Sequence, residues 1–142
     1  MPKVDNNTLK DKNKIVKDLG EFTDKKNILF EIEELKPYET DGLTAYKQTP
    51  LVVVLPENKK EVSQILSYCN KNNLKIVPRG AGTGLSGGSL PLADSVLLSL
   101  GKFNKILEVD YKNKCIVSQP CVTNLAITNA VQDKKFYYAP DP

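Results

Sequence analysis

The chain has 142 residues, of which 40% are hydrophobic and 26% charged, a composition typical of one soluble domain. Its net charge is +3, and basic and acidic residues are interspersed, so the basic stripe of a nucleic-acid-binding protein is missing. No apolar run approaches the roughly 20 residues of a transmembrane segment, and the absence of a signal peptide favours the cytoplasm. Histidine is absent, which removes the commonest general base and metal ligand, and we assign no catalytic or metal-ligating residue.

Residues 1–49 form the predicted N-terminal lead-in. Up to about residue 27 this segment is rich in Lys, Asp and Asn and has only weak apolar periodicity, which predicts a frayed helix or a disordered tail. Short apolar spots follow, broken by proline and glycine, and Tyr38, Asp41 and Gly42 lie in a predicted loop. The stretch from Asn27 to Pro50 is therefore not expected to contribute a core element.

Residues 50–142 form the predicted folded domain. Its first elements are a strand at Leu51–Leu55, buried on both faces, and a helix with Asn58 as N-cap. A second strand at Leu74–Val77 completes a βαβ unit whose crossover should be right-handed. Further elements are predicted at Ser95–Leu100, Ile106–Val109 and Cys115–Ser118 (strands) and at Asn124–Gln132 (a helix capped by Thr123). The close spacing of these later strands favours antiparallel neighbours, so the fold class is a two-layer α+β domain.

The connection between the second and third predicted strands carries a dense glycine cluster. Five of the eleven residues in 78–88 are glycine. Because glycine loses the most backbone entropy on folding, so dense a cluster is expected only where the backbone takes positive φ or approaches a ligand closely. Consecutive amides in such a turn can form an anion-binding concavity, so the loop is predicted to bind phosphate. Thr83 and Ser86 could add hydroxyl donors. Arg79 is the one arginine among twenty cationic residues, and it could add charge or instead brace the loop.

Two other phosphate-binding motifs are excluded. Gly82 to Gly87 matches the dinucleotide fingerprint G-x-G-x-x-G by letter, but a Rossmann site needs a helix to begin at the loop. Here Pro91 follows, and the next strand begins near Ser95, so no such helix fits. A Walker site needs a lysine after its glycines, and Gly88 is followed by Ser89.

The three cysteines do not form a recognisable motif. Cys69, Cys115 and Cys121 are odd in number and lack the close pairing of a zinc or redox site. We predict that they are small buried or half-buried hydrophobic residues in a reducing compartment.

Several motifs in order resemble one known family. They are residues 78–88, Ser89-Leu90-Pro91, Asn124 to Ile127, and Tyr137 to Pro142. Together they are similar to the FAD-linked oxidases with a PCMH-type, vanillyl-alcohol-oxidase-like flavin domain, in particular the FAD-binding subunits of bacterial glycolate oxidases. The similarity extends from about residue 30 to the end of the chain and also includes Tyr38 with Asp41-Gly42-Leu43.

This resemblance implies the first part of a PCMH-type domain, with a βαβ unit followed by mostly antiparallel strands and a second helix. The intact enzyme would oxidise a small 2-hydroxy acid by hydride transfer to FAD, which binds non-covalently because this chain has no histidine for attachment. The implied cofactor-binding residues are Pro78, Arg79, Gly80, Ala81, Gly82, Thr83, Gly84, Leu85, Ser86, Gly87, Gly88, Pro140, Asp141 and Pro142.

The resemblance leaves the substrate open between glycolate and D-lactate. It also implies that the family's substrate domain is not in this chain, so the chain alone is expected to be inactive. Its implied partners are other oxidase subunits or the remaining part of the enzyme, through which it would lie at the inner membrane from the cytoplasmic side. The alternative from another class is a non-catalytic, truncated remnant that serves as an interaction module.

Overall fold

The computed structural model describes residues 3–139. These residues form two compact units, one that ends at Leu100 and one that begins at Gly101. The boundary that the sequence suggests between residues 49 and 50 stays a prediction. None of the helices within residues 3–139 combines the length and the hydrophobicity that a bilayer span requires.

The first unit is built on a four-stranded sheet with the strand order β1-β2-β4-β3. Its strands are β1 (Ile28–Leu29), β2 (Val52–Val54), β3 (Lys75–Arg79) and β4 (Ser95–Ser99), and its helices are α1 (Asn6–Lys10), α2 (Lys12–Leu19), α3 (Ile32–Leu35) and α4 (Lys59–Lys71). Short 3-10 turns lie at Lys25–Asn27 and Lys36–Tyr38. β1 is antiparallel to β2, whereas β4 lies between β2 and β3 and is parallel to both.

The pairing of β4 differs from the sequence expectation. Close spacing favoured antiparallel neighbours for this strand, but residues 80–94 carry the chain back so that β4 starts beside the start of β3, with Lys75 opposite Ser95. This connection is long enough for a parallel crossover, although it contains no helix. The βαβ unit is present, with β4 inserted between its two strands.

Both faces of the sheet are covered, as the apolar run of β2 predicts. Val52 and Val54 belong to a core cluster on one face with residues of α2 and α4, while Val53 packs on the opposite face with Leu35 and Leu97. Alternate residues of a strand point to opposite faces, so an uninterrupted valine run fits a strand with apolar neighbours on both sides.

The N-terminal segment is helical, one of the two states that the sequence allowed, but it packs into this core and is not frayed. Contrary to the expectation for the stretch from Asn27 to Pro50, Ile28 and Leu35 are also buried in the core. Ile15 and Leu19 of α2 are buried in the cluster with Ile65 of α4. The amine of Lys12 donates to the backbone carbonyl of Phe30 at 2.6 Å. Because most residues of this segment are charged or polar, its apolar periodicity is weak, although Ile15 and Leu19, one helical turn apart, are enough to dock it.

Helix α4 begins as the sequence predicts. The side chain of Asn58 accepts a hydrogen bond from the backbone N–H of Glu61 at 3.0 Å, and Glu61 in turn accepts from the Asn58 side chain and from the backbone N–H of Glu57. This arrangement satisfies amides that a helix start leaves without partners.

A buried ion pair fastens the chain terminus to the sheet. Asp94, just before β4, is 2% exposed, and its Oδ2 accepts from the Lys75 amine and from the backbone N–H of Asp5, both at 2.6 Å. Its Oδ1 has no partner among the described residues. Burial alone would raise the pKa of Asp94, but these hydrogen bonds outweigh it and hold that pKa below the ordinary value.

The second unit consists of an antiparallel hairpin and a helix, in agreement with the sequence expectation for this part. Its elements are β5 (Ile106–Asp110), β6 (Cys115–Ser118) and α5 (Asn124–Val131). Thr123 caps α5, because its hydroxyl accepts from the Ala126 N–H at 3.1 Å. A groove of about 300 Å³ in this unit is lined mainly by apolar and aromatic side chains, including those of Ile116, Phe136 and Tyr138.

Candidate functional site

The glycine-rich loop leaves the carboxyl end of β3. Pro78 and Arg79 are the last residues of this strand, and residues 80–94 then run to β4. Because β2, β4 and β3 are parallel, their carboxyl ends lie at one edge of the sheet, and the loop lies at that edge. In open sheets of parallel strands, ligands bind beyond the carboxyl ends.

The backbone amides of the loop are available to a ligand. Within the described residues, none of the N–H groups from Gly80 to Gly88 donates a hydrogen bond, whereas the amides that follow at Ser89 and Leu90 are both paired. Most of this stretch is exposed. Unpaired N–H groups that are not buried require an acceptor from solvent or from a ligand, so the loop offers consecutive donors and no intramolecular competitor.

Two of the loop glycines have a backbone conformation that favours glycine. Gly82 and Gly87 both have a φ of 74°, in the left-handed region. Gly84 does not have a positive φ, so of the two reasons for a glycine in this loop, close approach of a ligand is the one that applies to it. A Cβ added at Gly84 or Gly88 would meet no protein atom within 4 Å. At these two positions the space beside the backbone is open to a ligand.

Arg79 braces the loop, which is one of the two roles that the sequence allowed. Its Nη1 donates to the carbonyl of Thr40 at 2.6 Å and to that of Tyr38 at 3.4 Å, and its guanidinium lies 5.7 Å from the centre of the Tyr38 ring. A Cβ at Gly82 would clash with this guanidinium. Gly82 therefore provides both the positive φ and the room that Arg79 occupies.

A second segment, which includes Asp41, packs against the loop; its sequence predicts a turn and is part of the family resemblance. Asp41 is buried, and its carboxylate accepts from the N–H of Leu43 at 3.0 Å and from the N–H of Ser89 at 3.3 Å. A Cβ at Gly42 would lie 2.5 Å from the carbonyl oxygen of Thr83. The Asp-Gly dipeptide indicated a turn here, but no local pattern indicated its contact with a loop forty residues away.

The side chains of the loop suit an anion. The segment 78–93 contains no acidic residue. The hydroxyl groups of Thr83 and Ser86 are exposed and form no hydrogen bond within the described residues, and Leu85 is 75% exposed at the tip. Free amides, free hydroxyls and open space at Gly84 together fit the diphosphate of a dinucleotide, which needs several donors and close backbone approach.

The other predicted site residues are placed as follows. Pro140, Asp141 and Pro142 lie outside the described residues. Of the cysteines, Cys69 is buried and Cys121 is intermediate, but Cys115 is exposed, so the expectation of burial is wrong for that one. Burial raises the pKa of the Cys69 thiol to about 11 and also raises that of Cys121. The structure thus gives neither residue the low pKa of a reactive thiolate.

The fold and the loop define an α+β domain with a glycine-rich turn at the carboxyl ends of parallel strands, and comparison with known proteins identifies its family. The sequence model of a family described as "FAD binding domain" matches residues 50–142. The chain belongs to this family, and FAD is therefore its cofactor. No histidine is available within the chain for covalent attachment.

Similar proteins agree with this assignment. The glycolate oxidase subunit GlcD of Escherichia coli K12 is 46% identical over 132 residues, which are 93% of this chain and 26% of that protein. The mitochondrial D-2-hydroxyglutarate dehydrogenase of Arabidopsis thaliana is 40% identical over 99 residues, 70% of this chain and 18% of that protein. The chain thus spans about a quarter or less of the length of these two relatives.

The fold is also found in solved structures. The 4-ethylphenol oxidase of Gulosibacter chungangensis superposes with a TM-score of 0.79 at 22% identity, over 93% of this chain and 26% of its own. This likeness confirms the predicted α+β fold.

Proposed function

We propose that this chain supplies the diphosphate-binding part of a flavin-linked enzyme that oxidises a small 2-hydroxy acid, with glycolate as the substrate. The observation that carries the proposal is the row of unpaired backbone amides from Gly80 to Gly88 at the carboxyl ends of three parallel strands. The identity to a glycolate oxidase subunit supports the reaction class.

The residues of this chain would bind and orient the cofactor. The amides of the loop would donate to the phosphate oxygens, the hydroxyls of Thr83 and Ser86 would add two donors, and Gly84 would let the backbone approach closely. Arg79 would act indirectly, because its guanidinium is engaged with Thr40 and Tyr38. When bound, FAD supplies the two-electron acceptor for oxidation of a 2-hydroxy acid to the 2-oxo acid.

The direct test is titration of the purified chain with FAD, followed by flavin fluorescence. If the loop holds the diphosphate, ADP competes with FAD and riboflavin does not. Gly84→Val should weaken FAD binding at least tenfold while leaving the thermal unfolding midpoint unchanged, because the new Cβ points into ligand space and meets no protein atom within 4 Å. Ala45→Val, which adds bulk at an exposed position outside the loop, is the control. A chain that binds neither FAD nor ADP would support the interaction-module alternative.

The substrate is tested in a chimera. The full chain replaces the matching quarter of the E. coli GlcD subunit, and dye reduction is measured with glycolate, D-lactate and D-2-hydroxyglutarate. We expect glycolate to be the best substrate and the Gly84→Val chimera to lose its flavin. A chimera that retains flavin but prefers D-lactate or D-2-hydroxyglutarate would contradict the proposed substrate.

We also propose that the chain works with further subunits of a glycolate-oxidase-type enzyme. These subunits would hold it at the cytoplasmic side of the inner membrane. The description of the E. coli relative as a subunit supports this assembly.

A further inference from the structure

We propose that Asp41 is a positioning residue for the cofactor diphosphate. In this role it holds the segment 40–43, here called the clamp segment, against the glycine-rich loop and thereby fixes the direction of the loop amides. The inference rests on the proposed function, and it concerns a residue outside the loop, which the titration of Gly84→Val does not test.

The carboxylate of Asp41 joins two distant parts of the chain. One oxygen, Oδ1, accepts from the N–H of Leu43 at 3.0 Å and so closes the turn of the clamp segment itself. The other, Oδ2, accepts from the N–H of Ser89 at 3.3 Å, directly after the unpaired amides. Asp41 is only 5% exposed, so water replaces neither bond easily.

Three further contacts locate the clamp segment along the whole loop. Arg79 donates to Thr40 before the loop begins. Gly42 has no room for a side chain, because its Cβ would lie 2.5 Å from the Thr83 oxygen and 2.8 Å from the Gly84 oxygen. The Leu43 side chain reaches to 3.7 Å from a Cβ placed at Gly87.

These contacts explain how a glycine-rich loop can keep its donors unpaired. The clamp segment touches the carbonyl oxygens of Thr83 and Gly84 from one side. A peptide unit whose carbonyl faces that segment directs its N–H away from it, since the two groups point in opposite directions across a planar peptide. The clamp segment therefore turns the amides of Gly84 and Leu85 outward, and Asp41 ties this segment to the end of the loop at Ser89.

A variant that removes the negative charge of Asp41 distinguishes a positioning role from a purely electrostatic effect, because the two predict opposite changes in FAD affinity. Asp41 is negative and lies beside a site proposed for an anion, so its charge alone disfavours a diphosphate. Replacing it by the neutral, nearly isosteric Asn removes that repulsion but leaves one of the two N–H groups without a good acceptor. If Asp41 positions the loop, Asp41→Asn weakens FAD binding; if only its charge matters, the same change strengthens it.

The test uses three variants of the full chain. Asp41→Asn loosens the clamp segment by removing an acceptor, and Gly42→Ala pushes it from the loop without changing charge or requiring a positive φ. The control is Glu39→Gln, which removes a charge two residues before Asp41, from a side chain that pairs with Lys47 and forms no bond to the loop. Hydrogen exchange of the loop amides and of Ser89 is measured without ligand, and FAD and ADP affinities are measured separately.

We expect Asp41→Asn to increase the hydrogen-exchange rate of the Ser89 amide roughly ten- to hundredfold, because the variant loses one charge-assisted hydrogen bond to that amide. Both Asp41→Asn and Gly42→Ala should raise the dissociation constants of FAD and ADP about tenfold, with Glu39→Gln like the unmodified chain. Hydrogen exchange of the α4 amides reports whether each variant is folded. If Asp41→Asn is not folded, the FAD and ADP affinities of Gly42→Ala test the inference.

Other outcomes overturn the inference. Tighter FAD binding by Asp41→Asn, or unchanged binding by both clamp variants, would exclude the positioning role while leaving the proposed function in place. An unmodified chain that binds neither FAD nor ADP would contradict the proposed function itself and the cofactor role of Asp41 with it.

Discussion

Gly82 is a loop position where the protein itself, without any ligand, requires glycine both for its backbone conformation and for space. We predict that Gly82→Ala destabilises the first unit even in the absence of FAD. The residue has a φ of 74°, and a methyl group there would occupy the place of the Arg79 guanidinium. An alanine therefore acts twice, first through its own backbone and then by displacing the arginine from Thr40.

The magnitude follows from these two effects. An L-residue other than glycine in the left-handed region costs roughly 1 to 2 kcal/mol. Displacing Arg79 breaks its 2.6 Å bond to Thr40, which we value at about 1.5 kcal/mol, the low end for a charged hydrogen bond, because the pair is half-buried. The sum is about 3 kcal/mol, which lowers the unfolding midpoint of a domain of this size by roughly 10 °C or more.

The assay is thermal unfolding of the full chain, followed by circular dichroism in the absence of FAD. Gly84→Ala in the same loop is the matched control, since its φ is not positive and its Cβ would meet no protein atom. Its stability should stay within about 1 kcal/mol of the unmodified chain. Equal midpoints for Gly82→Ala and the unmodified chain would refute the reasoning, as would an equal loss for both variants.

Two further predictions concern other groups. Because the pKa of Asp94 is lowered in the folded state, its contribution to stability is present above the ordinary carboxyl pKa and is lost as the pH falls through the folded value. The urea midpoint of the unmodified chain should therefore decrease when the pH is lowered below about 4, and it should decrease less in Asp94→Asn. An equally steep decrease in that variant would exclude Asp94 as the source. With an aromatic disulfide reagent, Cys115 should react fast, Cys121 more slowly, and buried Cys69 only after unfolding. A fast phase that survives Cys115→Ser would contradict this order.

Local signals in the sequence were sufficient for most individual elements. The valine run of β2, the Asn58 cap of α4 and the Thr123 cap of α5 all depend on neighbouring residues, and all are present where predicted. The same holds for the glycine loop, whose density of small residues is itself the signal. Such features can be predicted because their physical cause lies within a few residues of chain.

Features that depend on distant residues could not be predicted. The parallel position of β4 is set by the path of residues 80–94, and spacing alone suggested the opposite direction. Similarly, Ile15 and Leu19 look like isolated apolar residues in a charged segment until α4 is placed beside them. The contact of Asp41 with Ser89 joins residues 48 apart, and nothing local to either indicates it.

The central position of β4 bears on the order in which the chain folds during synthesis. β2 and β3 are made first, yet each pairs with β4 and neither with the other. When only the residues up to Arg79 have left the ribosome, β3 has no neighbouring strand, and the glycine-rich connection has no second anchor point. Synthesis of residues 95–99 supplies both at once. The loop is therefore shaped by the same event that completes the sheet, so mutations that slow insertion of β4 should delay formation of the cofactor site to the same extent.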